Sequence, residues 1–89
     1  MITLEKLDIY EKYGGDIDGL IRIGSDAEKI AINDSDWWRI SEVVSALLII
    51  RRGLASDDFA RRNLADIKSE CENSEVFNRL EKLAKQRGE

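Results

Sequence analysis

Asn33-Asp34-Ser35-Asp36-Trp37-Trp38-Arg39-Ile40-Ser41-Glu42-Val43-Val44-Ser45-Ala46-Leu47-Leu48-Ile49-Ile50-Arg51-Arg52-Gly53 is the stretch that decides the fold. Four cap-competent residues precede Trp37, two arginines and a glycine follow Ile50, and the most apolar segment of the chain lies between. Asn, Asp and Ser satisfy free N–H groups at a helix start, cations suit its C-terminal end, and glycine closes it. A central helix from about Asp36 to Arg52 follows. Trp37, Ile40, Val44, Leu47 and Ile50 recur at helical spacing as one stripe. Val43, Leu48 and Ile49 widen the stripe beyond the single face of a surface helix, which places this helix inside a bundle.

Adjacent helical residues point about 100° apart, so Trp37 and Trp38 are both buried only if the helix is enclosed on two sides. Trp37 is expected in the core. Trp38 either fills a second core face or stays partly exposed and available to a partner, a role in which tryptophan is over-represented.

The punctuation on either side is also helical. Thr3 caps a first helix running to about Tyr13, with Leu4, Leu7, Tyr10 and Tyr13 on one face, and Gly14-Gly15 ends it. Asp16 or Asp18 caps a short second helix carrying Ile17, Leu20 and Ile21 before Gly24, with an extended segment as the alternative. Ser25-Asp26-Ala27-Glu28 matches a capping box, and Lys29 to Asn33 is expected as a helical turn rather than a short strand through Ile30 and Ile32. Ser56 with Asp57-Asp58 starts a fourth helix reaching Glu72, on which Ala60, Leu64, Ile67 and Cys71 repeat at four, three and four residues. Asn73-Ser74 caps a last helix with Val76, Leu80 and Leu83 inward and Phe77 and Ala84 beside them. The tail from Lys85 to Glu89 is expected to fray. Proline is absent and the loops are short, so the expected fold is all-α, a compact bundle of four or five helices forming one domain over residues 1–89.

Composition narrows the function. The chain has no histidine and Cys71 is its only cysteine, which removes the usual nucleophile–base pairs, zinc sites and intramolecular disulfides. Asp16-Ile17-Asp18-Gly19 invites comparison with a calcium loop. With Gly19 as the sixth position, however, the first and twelfth fall on Gly14 and Ser25, where acids are needed, so capping and a turn explain it better. No carboxylate is flanked by enough apolar sequence to act as a raised-pKa acid. The expectation is therefore no cofactor, no metal and no catalysis.

Net charge is −4, and segments 1–24, 25–53 and 54–89 carry −2, −1 and −1, so none is a basic arm. Arg51-Arg52 and Arg61-Arg62 are explained by helix ends and neighbouring acids. Nucleic acid and anionic membranes are poor partners for such a chain, and a basic protein is a better one. No apolar stretch approaches the ~20 residues of a membrane span. The N-terminal sequence does not have the form of a signal peptide, so a cytoplasmic protein is expected.

A small, acidic, all-helical chain of this kind resembles the bacterial immunity proteins that neutralise toxic nucleases or other toxin domains. The resemblance lies in size, charge and helical punctuation over the whole chain. It implies a stoichiometric inhibitor whose acidic and aromatic face, here Asp34, Asp36, Trp38, Asp57 and Asp58, meets a basic protein. Acids at helix starts either scatter as caps or converge on one end of the bundle as a negative surface. The alternatives are a self-associating accessory subunit, in which a second copy covers the central helix, and a helix-turn-helix regulator. The helix from Asp57 to Glu72 carries too many acids to suit the regulator.

Overall fold

The computed structural model describes residues 1–24 and 27–88. Five α-helices follow in order: α1 Leu4–Lys12, α2 Ile17–Ile23, α3 Asp34–Arg51, α4 Asp57–Glu70 and α5 Ser74–Arg87, with a 3₁₀ turn at Ala27–Ile30 before α3. Helix covers well over half of the described residues, and the protein is an all-α bundle as its periodicity predicts. Thr3, Asp16, Ser56 and Asn73 each accept a backbone N–H at the start of α1, α2, α4 and α5. The third helix begins two residues earlier than expected. Asn33 is its cap, and a reciprocal capping box joins Asn33 to Asp36. The box expected at Ser25 to Glu28 falls partly outside the described residues.

The long helix α3 is the axis of the fold. It packs most extensively on α5 and also contacts α4 and α1. Its inward residues Trp37, Ile40, Val43, Val44 and Leu47 are buried with Leu7, Tyr10, Ile23, Ile67, Val76 and Leu80 in one apolar core, against which Leu64 packs half-buried. Leu47→Ala should cost about 2–3 kcal/mol in chemical denaturation. That is the lower part of the range for buried leucine, because an open cleft beside it lets the site relax.

Two parts of the fold differ from the sequence reading. The apolar residues that mark the second helix do not form its buried side: Ile17 and Ile21 are exposed and Leu20 is half-buried, while Gly19 and Ile23 are buried. A Cβ at Gly19 would collide with the Tyr13 carbonyl oxygen and lie 3.0 Å from Cζ2 of Trp37, so α2 presses its bare backbone against the indole. The C-terminal tail is also not frayed over its described part. Helix α5 runs to Arg87, whose guanidinium donates to the Tyr10 hydroxyl at 3.0 Å and to the Gly15 carbonyl. Gly14 and Gly15 both have positive φ, and that turn presents the carbonyl to Arg87.

The N-terminal residues add a contact that no helical pattern signals. Ile2 forms an isolated parallel bridge with Cys71, through Ile2 N–H to Glu70 O at 2.8 Å and Glu72 N–H to Ile2 O at 2.9 Å. This bridge ties the chain start to the α4–α5 connection and buries Ile2 and Cys71 together. No helix among the described residues is long and apolar enough to cross a membrane.

Candidate functional site

With one side of α3 committed to the core, its opposite side carries Trp38, Ser41, Glu42, Ser45, Ala46 and Ile49. Between Trp38 and Arg51 this helix has only two charged residues, Arg39 and Glu42. A solvated helix face normally carries charge along its whole length. Trp38 is 49% exposed and Ile49 40%, and eleven residues separate them, close to three helical turns, so they share a face. Phe59, 42% exposed, joins them from the first turn of α4, where the Ser56 cap bonds its N–H at 3.2 Å. The result is a shallow apolar surface with large side chains at its ends and Ser45 and Ala46 between them.

The expected site residues do not gather there as a set. Helix α4 runs antiparallel to α3: Phe59 at its start lies beside Ile49, and Glu70 at its end accepts two hydrogen bonds from Arg39, at 2.7 and 2.9 Å. Asp34 therefore stands at one end of α3 and Asp57 and Asp58 at the other, separated along the axis by roughly 25 Å at 1.5 Å per residue. These acids follow the caps Asn33 and Ser56 in the first turns of helices that start at opposite ends, so Asp34 does not share a surface with Asp57 and Asp58.

Their individual settings also differ. Asp34 is exposed and ion-paired with Lys29. Asp36 is half-buried, bound into the capping box and paired with Lys6 at 3.1 Å, so it belongs to the scaffold. Asp58 pairs with Arg61 at 2.6 Å on an open surface, and Asp57 is exposed. Only Trp38 of the five lies on the apolar face.

Ile49 and Phe59 were missed, although their signals were present. Ile49 repeats the Trp38 face three turns on. Phe59 precedes the Ala60, Leu64, Ile67 and Cys71 stripe and lies outside it, so its ring has no place in the core that α4 builds.

A cleft of about 300 Å³ between the N-terminus, α3 and α4 is lined by Lys6, Asp36, Arg39 and Glu70. Its charges are already matched in two ion pairs. The pairing with Glu70 raises the Arg39 guanidinium pKa above its usual value against the opposing effect of burial. Asp16 spends its carboxylate on the N–H of Gly19, at 2.7 Å. The Cys71 thiol is buried and donates to the Ile67 carbonyl at 3.1 Å; burial first and the nearby Glu70 charge second push its pKa up, the opposite of an activated nucleophile.

Fold and surface together define an all-α bundle with an aromatic and aliphatic face open along its central helix. No family model, curated protein or solved structure matches the chain.

Proposed function

We propose that the protein is a non-enzymatic binding module of the immunity type, a stoichiometric inhibitor that docks a basic protein on the open face of α3 and the start of α4. The observation that carries this reading is the exposed Trp38, Ile49 and Phe59 grouped on one surface. Large rings beside small side chains make a good anchor, because they bury much area at little entropic cost. The acidic balance of the chain supports a basic partner, and Glu42 on the face and Asp34 at its end are exposed carboxylates suited to steering it.

Affinity capture from the native host tests the reading. A basic protein should be recovered in near-equal amount, and Ser45→Glu, which sets a bulky charge in the middle of the face, should abolish its recovery. Capture that survives Ser45→Glu, or recovery of DNA instead of protein, would reject the assignment.

Steering has its own signature. Asp34→Asn, at the end of the face, should slow association and flatten its salt dependence while leaving dissociation nearly unchanged, whereas Glu42→Gln, on the face itself, should also change dissociation, as measured by stopped-flow mixing with the captured partner.

A further inference from the structure

We infer that, when no other protein occupies it, the open face of α3 is covered by a second copy of the same chain, with the two α3 helices packed antiparallel about a two-fold axis. The inference concerns the same face as the binding reading above but does not depend on a foreign partner. A two-fold interface must be complementary to itself, so each residue must suit the one that the axis brings opposite it. The face of α3 meets that condition along its length. An axis passing between Val43 and Val44 sets Trp38 against the second copy's Ile49, Ser41 against its Ala46 and Glu42 against its Ser45. Large residues at the ends then fill space beside large residues, and small ones in the middle let the helices approach closely.

Charge follows the same symmetry. The N-terminal turn of α3 holds Asp34, which pairs with Lys29 of its own copy yet stays open to water, and its C-terminal end holds the exposed Arg51 and Arg52. Antiparallel pairing brings Asp34 of each copy near Arg52 of the other, twice over, and opposes the two helix dipoles. A parallel arrangement would instead set Asp34 against Asp34 and Arg52 against Arg52. Phe59 extends the apolar contact beyond the helix pair, since it already borders Ile49 within one copy.

A face three turns long with one added ring is smaller than the roughly 800 Å² per partner of a standard interface, so the association is weak and concentration-dependent. Weakness suits the role. A second copy shields the indole while the chain is free and yields the face to a tighter binder, so dimer and partner complex exclude each other.

Sedimentation velocity of the full chain over a wide concentration range, read together with tryptophan emission, tests the proposal. The expected result is a monomer–dimer equilibrium in which emission shifts to the blue as dimer forms. Trp38 accounts for that shift, because Trp37 is already 1% exposed in the single copy. Ser45→Glu sets a second carboxylate against Glu42 across the axis and should leave only monomer, with an unchanged circular dichroism spectrum because Ser45 is exposed. Asp34→Arg and Arg52→Asp should each weaken the dimer several-fold, and the double variant should restore it. A monomer at all concentrations, or a dimer indifferent to Ser45→Glu, overturns the proposal, and failure of the charge exchange to restore association overturns the antiparallel register. A chain that stays monomeric yet captures a basic protein sinks only the dimer. A chain that dimerises yet captures nothing sinks only the binding reading.

Discussion

Trp37→Ala is expected to destabilise the protein by about 3–5 kcal/mol, a large part of what a domain of this size has to lose. The indole is 1% exposed and sits where three elements meet. Its ring lies 4.8 Å from that of Tyr10 at a tilt of 52°, and its Nε1 donates to the Asp16 carbonyl at 3.1 Å. The bare backbone of Gly19 rests on its far edge. Truncation therefore removes the surface on which α2 docks and a donor to the Asp16 carbonyl at the start of that helix, besides leaving a cavity. Urea denaturation should show either a much lower midpoint or no cooperative transition. A loss under ~1 kcal/mol would mean that α2 and α1 are not anchored to α3 through this ring. Trp37→Phe keeps part of the packing but loses the hydrogen bond, and should fall between the two.

The same residue shows which part of the fold was legible. Helix α3 could be read from sequence because caps, apolar period and terminal arginines all agree on it, and such agreement between local and global preference is what makes a segment predictable. The face of α2 was not legible. Pattern reading counts apolar side chains, and Ile17, Leu20 and Ile21 at helical spacing do not by themselves say which side of so short a helix turns inward. The contact that orients α2 is made by a glycine, which presents no side chain to count. Arg87 eluded the reading for a related reason. Terminal residues are expected to fray, and the buried Tyr10 hydroxyl that recruits the guanidinium also bonds Ser41, at 2.9 Å, far away in sequence from both.

The site was legible only at one point. Acids at helix starts are open in the sequence to scattering or convergence, yet an antiparallel connection of α3 to α4 necessarily sends the acids at their starts to opposite ends. Short loops predict that antiparallel course, so the topology expected from the sequence already argued against convergence. Asp36 illustrates the competing demand on such residues. A carboxylate at the third position of a helix is wanted by the cap, and here the cap and Lys6 hold it. Trp38 has no comparable claim from within the fold.

Trp38→Ala should consequently do the reverse of Trp37→Ala. Folding stability should change by less than ~1 kcal/mol, because an indole half open to water contributes little of its area to the core. Binding should suffer instead. If the face of α3 docks a protein, the ring that stands highest on it is the side chain most fully desolvated in the complex, and truncating such an anchor costs ~2–4 kcal/mol, or about 30- to 1,000-fold in affinity. The loss should fall mainly on dissociation, since the indole carries no charge and does not steer encounter. Trp38→Phe should recover part of the affinity by keeping a ring at the anchor position. Calorimetric titration of wild type and variants against the captured partner, with denaturation run in parallel, separates the two effects. A variant that binds as tightly as wild type would remove this face from the interface, whereas equal losses in stability and affinity would show that Trp38 supports the fold and not the contact.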